Sequence, residues 1–526
     1  MKILKFNILS VLMMCCLFVS CYDDEGNYDY TDVPQYTFNN VQESYTLLRG
    51  VDMFTFSPEI ISSTEGKITP DNPNFEYSCR IGMTSGSFDD SEKWHELNPE
   101  KTQSFTCDIR EDVGSYVGVY TITDKRNGVS TNYSFNITLS STSYEGWLVL
   151  CNEGSENRVR LDMISVITQD RIMPIHDIMN SAFPEQHNAL QIAYDPSLFN
   201  TGEYIYMLTE TGSFRLQEDQ LTADEKDNIM SEFLSDLGSD KPARFGATGY
   251  WMAGAGTHLM VTQAGDFYVK GLGASGACYE FLANTSVEGN AREYRVAPFI
   301  GTGMERPGTT TNALLFDIDN KRFIGWDQTT AASSGVCYEI PAGGANFIPF
   351  NCGQDLVYME GTRFANNTVF AILQNEAGER SVCAINLSGD KYTQESYYEN
   401  IDAENFRQAD HFTFHSQYPY MFYSYQNQLY SYNLGTKALK KITLPDEEIT
   451  MVKIDLFKNL SMTNIPDEMM LQQHYVLVGS YKNAATDNNG GVLRMYKLDN
   501  STGELKLVKE YDGFAKIVDV TYRERF

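Results

Sequence analysis

The chain has 526 residues, enough for two or more domains, with 40 basic against 70 acidic side chains and a formal charge of −30. That balance argues against a nucleic-acid partner, which needs a basic surface. No apolar run reaches the roughly 20 residues of a bilayer span, and the 33 Tyr, 30 Phe and 39 Gly suit an all-β protein.

At the start, Lys2 and Lys5 form a short basic head before a mostly apolar run of 14 residues, Phe6 to Val19. The run has the length of a secretory-signal core. Small Ser20 precedes Cys21, and "FVSC" resembles the lipobox of bacterial lipoproteins, with Leu17 one place early. The resemblance implies that residues 1–20 are a signal peptide and that Cys21 becomes the acylated first residue, a stable anchor when several chains are attached. An ordinary signal with an incidental cysteine is the alternative. Asp23, Asp24 and Glu25 follow. Anionic headgroups would repel them, and they resemble the acidic export signal of Bacteroidetes lipoproteins carried to the outer face of the outer membrane. In any case residues 21–34 read as an acidic, solvated tether.

Residues 35–140 alternate in short strands: "NFEYSCRIG", "TQSFTCDIR", "GSYVGVYTITD" and "TNYSFNITLS". In "YVGVYTIT" Tyr116, Gly118, Tyr120 and Ile122 share one face, the period of a strand, and "DKRNG" (124–128) reads as a hairpin turn. Strands without helix signals point to a β-sandwich. The closing segment resembles the last strands of a PKD-like, immunoglobulin-type domain. Of the ten cysteines, Cys15 and Cys16 leave with the signal. Cys79 and Cys107, both in strand-like runs of this domain, are the one candidate disulfide in an oxidising compartment; the others read as small buried hydrophobes.

Beyond "YEGWLVLCNEG", compact apolar strands recur, starting at Trp147, Tyr204, His258, Ala313, Thr368, Tyr420 and Tyr475. Their separations are 57, 54, 55, 55, 52 and 55 residues. Each precedes a turn and a partner strand, as in "TQAGDFYVKG" and "SYQNQLYSYNL". A lone hairpin cannot bury both faces, whereas four-stranded blades packed radially can. Residues 144–526 therefore read as a seven-bladed β-propeller. A β-helix, whose coils are shorter than about 50 residues, is the alternative. The last run, "GFAKIVDVTYRERF", is a strand placed to pair with the first blade. One insert breaks the pattern: Thr222 and Glu225 have capping-box spacing, and Ile229, Met230, Phe233, Leu234 and Leu237 recur at helical intervals before Gly238.

Catalytic motifs are absent. No G-x-S-x-G, H-E-x-x-H or C-x-x-C occurs. His411 and His415 sit four apart in a strand-like run, about 13 Å, too far to share a metal. "GLGASG" (271–276) matches the dinucleotide fingerprint, but "ACYEFL" follows instead of a capped helix, so it reads as a blade connection. "DIDN" (317–320) and "TDNNGG" (486–491) read as hairpin turns, not calcium loops. With 70 acids, nothing selects a carboxylate pair for glycoside cleavage. Tyr250 and Trp251, in "GATGYWMAGAGT", and Trp326 are candidate platforms for a sugar or peptide; packing between blades is the alternative, and Trp147 is assigned to the first blade's core. The sequence points to no catalytic set, metal or cofactor.

Lipobox, acidic tether, "GNYDYTDVP", sandwich and "GWLVL" occur in that order, and together they resemble the PKD-like family of Bacteroidetes surface lipoproteins. The resemblance implies an accessory, non-enzymatic part in nutrient uptake, beside a TonB-dependent SusC-like transporter, its SusD-like lipoprotein and other surface lipoproteins. The expected ligand is an oligopeptide or a glycan, and the expected contact with the membrane is the lipid anchor alone. A surface hydrolase or lyase acting on glycans is the alternative; an adhesin or envelope scaffold is a third.

Overall fold

The computed structural model describes residues 33–524 apart from 84–93, 169–170, 180–182, 197–202, 219–220, 249–256, 272–277, 286–290, 304–311, 328–334, 389–390, 459–466 and 486. Cys21, Asp23, Asp24, Glu25, Tyr250 and Trp251 lie outside the described residues. The described residues are all-β with almost no helix, and the chain divides into two compact units, residues 1–140 and 141–526. Among the described residues no helix is long and apolar enough to cross a membrane.

The first unit holds a five-stranded sheet, a three-stranded sheet and a two-stranded ribbon. The large sheet runs in the order Ser44–Leu48, Val129–Ser140, Gly114–Asp124, Phe75–Met83, His95–Glu96. Its first pair is parallel and the others antiparallel. The alternation in "YVGVYTIT" has its expected result, since Tyr116, Tyr120 and Ile122 join one core with Phe54, Phe56 and Phe135. Gly118 lies opposite Phe135 in the ladder. A Cβ there would stand 2.3 Å from the Phe135 ring, so glycine is what lets the ring lie across the strand.

Cys79 and Cys107 are both free thiols, not the predicted disulfide. Cys79 is on the Phe75–Met83 strand of the large sheet, whereas Cys107 ends the Phe105–Cys107 strand, which pairs with Phe54–Phe56 in the ribbon. Burial pushes both thiols up, Cys107 to about 11. Neither is a thiolate at neutral pH, which slows its oxidation. Alkylation under denaturing, non-reducing conditions is expected to label both; a cross-linked peptide pair joining them would refute this.

The second unit contains seven antiparallel sheets among its described residues. In the first sheet, Arg171–Ile175, Arg158–Thr168 and Gly146–Glu153 are followed by the C-terminal strand, Lys516–Arg523. The other six begin with Ala189–Asp195, Pro242–Thr248, Gly301–Thr302, Asp355–Gly361, His411–Phe414 and Glu447–Lys453, and each continues as a meander. The recurring strands of the sequence fall one to a sheet, for example Gly146–Glu153, Tyr204–Thr209 and Val476–Lys482. The leading strands touch in succession: Lys516–Arg523 meets Ala189–Asp195, each later one meets the next, and Glu447–Lys453 meets Lys516–Arg523. This is a β-propeller-type arrangement.

Apolar side chains fill the spaces between neighbouring sheets. Trp147, Val149 and Ile164 pack with Met451, Leu477 and Leu493, while Leu259, Val261 and Phe267 pack with Leu315, Ile324 and Trp326. A sheet covered on both faces has no polar face, so strands such as Tyr204–Thr209 and Asn312–Asp317 are buried at every position.

The expected helix after Thr222 does not form. Two single 3₁₀ turns stand there, Glu225–Asp227 and Ile229–Glu232, separated by Asn228 in an extended conformation. The capping box belongs to Asp224 and Asp227. Ile229 and Phe233 are buried while Leu234 is 72 % exposed, so the apolar residues do not make one helical stripe. Phe233 instead bridges to Tyr279 as an extended residue.

Candidate functional site

Where the leading strands of the second unit come together they line a half-open cavity of ≈ 140 Å³. Its charged wall residues are Arg244, Glu360, Lys453, Asp455 and Lys458. They come from three separate segments of chain: Arg244 from Pro242–Thr248, Glu360 from Asp355–Gly361, and Lys453, Asp455 and Lys458 from the end of Glu447–Lys453 and the residues after it. A β-strand sends alternate side chains to opposite faces, so the charged positions in otherwise apolar runs, one each in "ARFGA" and "VYMEG" and two in "MVKID", are sent toward the cavity.

The two acids are already satisfied. Glu360 accepts hydrogen bonds from Tyr358 Oη at 2.7 Å, from Thr413 Oγ1 at 3.1 Å and from the Phe414 amide. Asp455 accepts from the Tyr522 amide at 2.8 Å and from Thr521 Oγ1 at 3.2 Å. Lys453 is also engaged, donating to Asp519 at 2.7 Å and to the Val520 carbonyl at 2.6 Å. The other carboxylate oxygen of Asp519 accepts from the Ile192 amide at 3.1 Å. These bonds run from one leading strand to the next and fix the wall.

Two cations remain. Among the described residues neither the Arg244 guanidinium nor the Lys458 ammonium makes a hydrogen bond or an ion pair; Arg244 is near enough to Glu360 to favour its charged form without pairing with it. Burial holds the Lys458 amine below its ordinary range, with Lys453 and Arg363 adding to the effect and Asp455 opposing it.

Burial raises the Glu360 carboxyl from 4.5 to about 7, against the pull of its hydrogen bonds and of Arg244. The native carboxyl therefore keeps its proton up to about pH 7, whereas in the unfolded chain it is released near 4.5. Stability from this group is complete in acid and is lost as the pH climbs through 7. Relative to Glu360→Gln, the wild-type chain is expected to lose about 1–3 kcal/mol between pH 5 and pH 8, less than the full shift because the carboxyl borders the cavity. Denaturant unfolding of both proteins across that range checks it, and parallel stability curves would refute it.

The residues singled out from sequence fare differently. Trp326 is 3 % exposed and stacks edge-on against Phe267, at 6.5 Å between centroids. It belongs to the core between two sheets and is no ligand platform, because its strand is covered on both faces. Trp147, 1 % exposed, is core as expected. Gly271 ends one strand, and the next described strand, Phe281–Leu282, pairs back onto it, so strands flank "GLGASG" on both sides. Asp317 of "DIDN" accepts from the Asp319 and Asn320 amides at 3.1 and 3.0 Å and from Arg322 Nε at 2.8 Å, holding a hairpin turn.

Among the described residues no group of three His, Cys, Asp or Glu side chains is placed to hold a metal. Among the described residues Ser416 Oγ lies 2.7 Å from His474 Nδ1, a hydroxyl–imidazole pair. Ser416 is 2 % exposed, which closes it to a substrate. Arg244, Glu360 and Lys458 were not singled out from the sequence. The available signal was a charge inside an apolar strand at the head of a repeat.

A model of the PKD-like family matches residues 21–188. No curated protein matches the sequence. Similar solved structures include a quinonprotein alcohol dehydrogenase-like protein from Bacteroides thetaiotaomicron, at 11% identity over 93% of this chain and 99% of that one, with a TM-score of 0.42. Another is the extracellular domain of a putative hybrid two component system from B. thetaiotaomicron, at 9% identity over 89% of this chain and 82% of that one, with a TM-score of 0.35.

Proposed function

We propose that the protein is a lipoprotein of the outer cell surface, anchored through acylated Cys21, exported by the Asp23–Asp24–Glu25 signal, and serving as a binding component rather than an enzyme. In this reading the seven sheets are the blades of one closed ring. The ring presents an oligopeptide or glycan to a TonB-dependent SusC-like transporter and its SusD-like lipoprotein. The observation that carries it is the family match: it begins at Cys21 and runs through the sandwich into the first sheet of the second unit. The acidic tether agrees with it.

Protease treatment of intact cells is expected to remove the protein while sparing periplasmic markers, and Cys21→Ala is expected to release it from the membrane fraction. Protection of the wild-type chain from protease would end the surface assignment. Recovery from mild detergent without any transporter subunit would end the partnership.

A further inference from the structure

We infer that the cavity between the leading strands is a carboxylate-binding subsite, in which Arg244 and Lys458 pair with the carboxylate group of a ligand. The inference deepens the binding role proposed above but needs only the cavity, so it stands or falls separately from cell-surface location and transporter partnership.

The asymmetry of the wall carries it. Buried charges are ordinarily paired, and here the acids are: Glu360 takes three donors, and Asp455 takes two with Lys453 also 3.7 Å away. Arg244 and Lys458, both half-buried, line the same space with no partner among the described residues. The complement of such a wall is an acceptor-rich anion, and the guanidinium fork fits the two oxygens of a carboxylate.

Charge and size select among anions. Glu360 keeps its proton up to about pH 7 and Lys453 is paired with Asp519, so Arg244 and Lys458 against Asp455 leave an excess of one positive charge. A monoanion is matched, while a dianion such as phosphate meets repulsion from Asp455. The cavity, ≈ 140 Å³, is close to the roughly 150 Å³ that accommodates a benzene ring. It admits one end group and not a whole chain. A peptide C-terminus and an acidic sugar both offer that group.

The test uses the wild-type chain first. N-acetylglycine and D-galacturonate are each compared by calorimetry with a neutral counterpart, N-acetylglycinamide and D-galactose, at constant chloride. At least one acid is expected to bind saturably and at least tenfold tighter than its neutral counterpart; the stronger acid tells peptide from sugar. Arg244→Gln and Lys458→Gln are each expected to weaken the acid at least tenfold without changing the circular-dichroism spectrum, and Arg244→Lys to restore part of the loss. Equal binding of acid and neutral forms, preference for inorganic phosphate, or no saturable binding of either acid would overturn the inference. The wild-type comparison decides this even where a variant fails to fold.

Discussion

Removing every residue after Ala515 is expected to abolish the cooperative thermal transition of the second unit while leaving that of the sandwich in place. The lost strand, Lys516–Arg523, pairs along Gly146–Glu153 and puts Ile517, Val520 and Tyr522 into the core that Trp147 shares with the seventh sheet. Tyr522 stacks on Phe457 at 4.3 Å between centroids and meets Trp147 edge-on at 4.9 Å. Burial of those three apolar side chains contributes about 1.5–3 kcal/mol each. The deletion also strips Lys453 of Asp519 and Asp455 of its two donors from Thr521 and Tyr522, at about 1–3 kcal/mol for each group left unsatisfied. The sum is of the order of a whole domain's net stability, about 5–15 kcal/mol. Differential scanning calorimetry of the full and shortened chains checks this. A second-unit transition surviving within a few degrees of its original temperature would count against it. Tyr522→Ala is the milder version, expected to cost about 3–5 kcal/mol.

The second large effect is expected at Gly361. A Cβ on this residue would stand 2.1 Å from the Thr302 carbonyl oxygen and 3.1 Å from the Thr302 nitrogen and carbonyl carbon. These are backbone atoms of the neighbouring leading strand, so no rotamer change relieves the clash and the strands must part. Overpacking a core typically costs about 1–3 kcal/mol, and with two backbones in contact Gly361→Ala is expected at or above the top of that range. Because Glu360 is the next residue, the variant should also disturb the cavity wall. Gly343→Ala, where nothing lies within 4 Å of the added atom, is the control and is expected to stay within about 0.5 kcal/mol of wild type. Equal stabilities of the two variants would show that the strands are not held this closely.

The repeat was legible because every sheet needs one strand apolar at all positions, and such runs stand out at Trp147, Tyr204 and Tyr475. The same property hid the role of Trp326. Alternation tells an inward side chain from an outward one only where one face meets water, and Arg322–Asp327 is covered on both faces from Phe323 onward. The helical spacing after Thr222 misled for a different reason: the period is real, but Asn228 and the bridge from Phe233 to Tyr279 draw the chain into extended conformations, a tertiary contact overriding local preference. Arg244, Glu360 and Lys458 were not legible as a set. They lie on distant segments, and only the succession of leading strands brings them to one cavity.

The pairing of Lys516–Arg523 with the first sheet also sets an order of events during synthesis. Every described strand of the sandwich lies within residues 36–140, so that unit is complete once its own residues have emerged. The second unit is not: Tyr522 Oη bonds to Glu145, 377 positions away in the chain. Until the final residues arrive, Gly146–Glu153 has one open edge, a template for mispairing, and long-range closure of this kind is slow. A chain emerging N-terminus first thus carries a folded first unit and an unfinished second unit until Lys516–Arg523 is free.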